Sequence, residues 1–72
     1  MGRKPIFRTL VVDGSYKDKT KEIVDWYVNR GRAVIIDEIH HDYYSVWELT
    51  NITDVWWKEL LDDLHNNAIN EL

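Results

Sequence analysis

The apolar residues of this chain change their spacing three times, and those changes confine it to one order of elements. Ile6-Phe-Arg-Thr-Leu-Val-Val12 is a β-branched and aromatic run, closed by the turn chemistry of Asp13-Gly14-Ser15, which predicts a strand. From Lys17 to Arg30 the spacing lengthens. Thr20, Ile23, Val24, Tyr27 and Val28 recur at i, i+3, i+4, i+7 and i+8, one face of an amphipathic helix, and Gly31 supplies its stop. Ala33 to His40 and Tyr43 to Leu49 return to strand composition. The last segment is helical again. Thr53 is placed to cap it, Asp54 suits the positive end of its dipole, Ile52 stands where a hydrophobic staple meets Trp57, and Trp57, Leu60, Leu61, Leu64 and Ala68 share one stripe.

The expected fold is therefore α+β: a β-α-β-β-α two-layer domain, its three-stranded sheet carrying both helices on one face. Nothing divides the chain, so residues 1–72 read as a single small globular domain with 1–5 flexible. Strands one and two would run parallel if they were neighbours, by the right-handed crossover rule. A hairpin closed at His41-Asp42 pairs Val34 with Leu49, Ile36 with Trp47, Glu38 with Ser45 and His40 with Tyr43 on the core face. Ile35, Asp37, Ile39, Tyr44, Val46 and Glu48 then share a semi-exposed face.

Without cysteine, 72 residues must stabilise themselves by packing alone, for which four Trp and four Tyr are a generous supply. No stretch resembles a signal peptide or reaches the 18 or so apolar residues of a membrane span, so a cytoplasmic protein with no membrane association is expected. Charge is lopsided. Residues 1–36 hold eight Lys/Arg against four Asp/Glu, whereas residues 37–72 hold Lys58 against nine acids.

Val34-Ile-Ile-Asp37-Glu38-Ile-His40 resembles the second motif of helicase-type ATPases, where Asp helps hold Mg²⁺. That chemistry also needs a glycine-rich phosphate loop ending in Lys-Ser/Thr, and no G-x-x-x-x-G-K-[ST] exists here. Asp37, His40, His41 and Asp42 have metal-ligand chemistry, but adjacent residues of a strand point to opposite faces, and solvated histidines at a hairpin tip explain them. Ser15 and Ser45 lack an adjacent acid–base pattern, and the paired carboxylates lack a cleft. No catalytic residue, metal ligand or cofactor is expected.

Aromatic residues that the core does not require point to partner binding. Trp26 lies about 130° from the centre of its helix stripe, Trp56 at one edge of the second stripe and Val55 almost opposite it. With Ile39, Tyr44 and Val46 on the outer sheet face and Glu59, Asp62 and Asp63 beside them, these residues make a patch suited to a protein with a basic surface. In size and charge the chain resembles phage-encoded inhibitors of host RNA polymerase or nucleases, which implies host takeover by docking on a nucleic-acid-handling enzyme. Two other readings stand beside it. The basic N-terminal half would make a nucleic-acid-binding accessory protein, and the hairpin tip would make a minimal metal-dependent enzyme. A homodimer would bury the same aromatic groups.

Overall fold

The computed structural model describes residues 7–69. Along the chain it forms β1 (Arg8–Asp13), a 3-10 turn (Gly14–Tyr16), α1 (Lys17–Asn29), β2 (Val34–His40), β3 (Tyr44–Thr50) and α2 (Asp54–Asn66). The fold is α+β, in the β-α-β-β-α order. Ile6 and residues 1–5, expected as a strand start and a flexible lead, lie outside the described residues.

Local chemistry sets the element ends. Asp13 accepts hydrogen bonds from the Ser15 amide (2.9 Å) and hydroxyl (2.6 Å) and so caps the 3-10 turn. The Gly14 amide donates to the Tyr43 carbonyl at 3.0 Å. A Cβ on Gly14 would stand 3.2 Å from the Tyr43 carbonyl carbon, so a side chain here would press on the backbone of the hairpin loop. The α1 terminus is a Schellman motif. Gly31, at φ 71°, donates to Val28, and the Arg32 amide reaches back to the Tyr27 carbonyl. Thr53 caps α2, its hydroxyl accepting from the Trp56 amide at 3.3 Å.

The sheet order is β1-β3-β2, with both pairings antiparallel. Strands β1 and β2 thus run the same way but are not neighbours, and β3 fills the gap in a split β-α-β arrangement. The hairpin register differs from the expected one. Near the tip His40 faces Ser45 and Glu38 faces Trp47, a slip of two that keeps both on the core side. The turn lies one residue further along than expected, at Asp42-Tyr43, closed by the His41 amide on the Tyr44 carbonyl at 2.8 Å. A bulge between Ile35 and Asp37 takes back one residue of that slip, leaving the rest of β2 displaced by one. Ile35 therefore turns inward opposite Leu49, while Val34 and Ile36, expected in the core, are 46% and 47% exposed.

Leu10, Val12, Trp47 and Leu49 from the sheet meet Val24 and Tyr27 of α1 and Leu60 and Leu64 of α2 in one core. Trp57, expected to be buried, is half-buried like Trp56, both packing on the rim of that core. Ala68 leaves the expected stripe because α2 ends before it. It occupies the left-handed position of a second Schellman motif at φ 56°, with the Ile69 amide bonded to the Leu64 carbonyl. No helix among the described residues is long and apolar enough to cross a membrane.

Candidate functional site

With both helices on one side, no element among the described residues covers the other sheet face. Strand alternation and the bulge place Val34, Ile36, Asp37 and Ile39 there from β2, Tyr44, Val46 and Glu48 from β3, and Thr9, Val11 and Asp13 from β1. The strands contain one Lys or Arg, Arg8, which stands opposite Leu49 on the inner face, ion-paired with Asp54 and 5.5 Å from the Trp57 ring. The outer face is thus apolar and acidic, with no Lys or Arg from its strands. Asp37 and Glu48 are direct cross-strand partners, a like-charge pairing that disfavours the isolated domain, and no cation neutralises either among the described residues. The hydroxyl and amide of Ser15 hold the Asp13 carboxyl below the usual carboxylate range.

A second surface lies at the seam of the helices. Because the Schellman turn at Gly31 folds the chain back, Arg32 lies over Trp26 (4.9 Å) and Trp56 (3.8 Å), while Arg30 stacks on Trp26 at 3.9 Å. Trp26 meets Tyr27 edge-on, ring centres 5.0 Å apart. The Tyr27 hydroxyl donates to Asp63 Oδ2 at 2.5 Å. Burial first, then this bond and the charges of Asp63 and Glu59, push the phenol well above its ordinary pKa. A cleft of about 300 Å³ opens beside these rings, lined by residues that include Ile23, Trp26, Tyr27 and Asn67.

The nine residues expected to bind a partner therefore fall into three groups. Ile39, Tyr44 and Val46 lie on the open sheet face. Trp26, Trp56, Glu59 and Asp63 gather around Tyr27 at the helix seam. Val55 and Asp62, seven residues apart on α2, are exposed. The sheet face and the helix layer are opposite sides of the molecule, so the nine do not form one patch. Nor are the seam tryptophans bare aromatics rimmed by acids, because their faces carry the molecule's own arginines.

The fold also assembles a relay that the sequence reading passed over. The Ser45 hydroxyl meets His40 Nδ1 at 2.8 Å, His40 Nε2 meets Glu38 Oε1 at 2.8 Å, and Lys21 Nζ approaches the same oxygen at 3.2 Å. Partial burial pushes the Glu38 carboxyl up, but its bonds from His40 and Lys21 outweigh that and leave it below the usual range. Alternation from 38 to 40 and a hairpin placing 45 opposite 40 were the available signal. Ser45 is sealed from solvent, so no substrate carbon reaches its oxygen, and the relay ties α1 to the sheet. His41 points away and stacks on Tyr44 at 4.5 Å. Among the described residues no three His, Asp or Glu converge as metal ligands.

Comparison with protein-family models, with characterised proteins and with solved structures finds no match to this chain.

Proposed function

We propose that this chain is a non-enzymatic protein-binding module that docks through its open sheet face on a partner with a basic surface, and so inhibits or modulates a nucleic-acid-handling protein such as an RNA polymerase or nuclease. One observation carries the reading: an apolar sheet face that no described element covers, holding three carboxylates and no Lys or Arg from its strands, with two of those carboxylates directly opposed. A basic partner would relieve that repulsion and cover Val34, Ile36, Ile39 and Val46. The carboxylates would steer its approach, and the apolar groups would supply most of the affinity.

Glu48→Lys tests the reading because it separates folding from binding. The substitution turns the Asp37 pairing attractive, so the isolated domain should gain about 0.5 kcal/mol in chemical denaturation. Capture of basic nucleic-acid enzymes on the immobilised protein should fall about tenfold or more, because a charge now faces its like. Equal retention by wild type and Glu48→Lys, or wild-type capture of nucleic acid alone, would overturn the proposal.

A further inference from the structure

We infer that the stacked Trp26, Arg30, Arg32 and Trp56 side chains form a binding site for single-stranded nucleic acid, on the side of the molecule opposite the sheet face and independent of the reading given to it. The unusual group is Arg32. It is half-buried between two indole rings, yet its guanidinium makes no hydrogen bond or ion pair with any described residue. Arg30 spends one N–H on the Trp26 carbonyl at 3.3 Å, and no described residue takes its other donors. The ring contacts restrain both guanidinium groups, and a restrained guanidinium is preorganised to take a phosphate in bidentate fashion.

The choice of ligand follows from the surroundings. Glu59 and Asp63 lie beside Tyr27 and offset the two guanidinium charges, so a bare polyanion or an acidic peptide gains little here. Stacking does not depend on net charge. An unpaired base can lie on an exposed guanidinium plane or on the rim of Trp26, which is 41% exposed, and the adjoining cleft of about 300 Å³ is large enough to admit a base. A duplex keeps its bases stacked on one another and presents only phosphates, so it is the weaker ligand.

The test is quenching of tryptophan fluorescence by an oligothymidylate of about 16 nucleotides, with inorganic polyphosphate, a duplex of equal length and polyglutamate as comparison probes. Saturable quenching is expected with the single strand alone. Two phosphate contacts predict a salt slope of about −1.4, so affinity should drop about sevenfold between 50 and 200 mM salt. Arg32→Lys keeps the charge but removes the planar donor fork held between the two rings, and should weaken binding about fivefold or more while the circular dichroism of the fold is unchanged. Arg30→Lys reads the same property at a more exposed position, should Arg32→Lys disturb the fold. No saturable quenching, quenching by polyphosphate or polyglutamate as strong as by oligothymidylate, or undiminished binding in both Lys variants would overturn the inference.

Discussion

Three residues show how local backbone choices set the surfaces. Gly31 sits in the left-handed region without strain, and by ending α1 there it delivers Arg32 to the two tryptophans. Ala68 occupies the equivalent position after α2 with a Cβ that this conformation disfavours. Ala68→Gly is therefore expected to stabilise the protein by roughly 0.5–1 kcal/mol, the relief of the left-handed penalty less the entropy that glycine gains when unfolded. A urea titration reads it, and an unchanged or lowered midpoint would show that the Ile69 anchor, not the φ angle, governs this terminus. Gly14 owes its place to proximity instead, since the Tyr43 backbone leaves a methyl group no ordinary room.

At the scale of elements, the two helices are joined through Tyr27, buried between them and bonded to Asp63. The folded phenol holds its proton more tightly than the ordinary value of 10.0. A raised pKa means that its contribution is whole below pH 10 and is lost as pH climbs above it. Tyr27→Phe should lower stability at neutral pH by about 1.5 kcal/mol, the lower range for a hydrogen bond to a charged group, because the half-exposed Asp63 can rehydrate. The variant should also lose part of the alkaline decline that wild type shows above pH 10, measured by thermal melts across pH. The Glu38, His40 and Lys21 contacts join α1 to β2 with the opposite sign. The depressed Glu38 carboxyl contributes above its unfolded value of 4.5, and that contribution disappears as pH falls below it.

For the whole molecule, size dominates. A domain this short buries a modest share of its surface, and one side chain at the centre carries an outsized part of it. Trp47 is fully buried on the middle strand and packs edge-on to His40 at 5.4 Å. Trp47→Ala should remove about 3–5 kcal/mol, a large fraction of the 5–15 typical of native proteins, and leave a measurable unfolded population at 25 °C by near-ultraviolet circular dichroism. A variant that stays fully folded would mean the helices pack well without the central ring.

Element order, helix faces and caps were legible in the residues, because period, capping chemistry and left-handed glycine act over a few positions of chain. Thr20, Val24 and Tyr27 lie buried as their spacing predicts, and Thr53 caps as its place before Asp54 predicts. Strand order, the bulge and the hairpin loop were not legible, since each is settled by which register best fills the space under the helices. That is why Val34 and Ile36 face outward, Ser45 meets His40, and the nine candidate residues are divided between opposite sides. The sequence alone determined which segments are strands and helices and which way each helix turns. Only tertiary packing decided which side chains share a surface, because proximity across the fold depends on contacts between residues far apart in the chain.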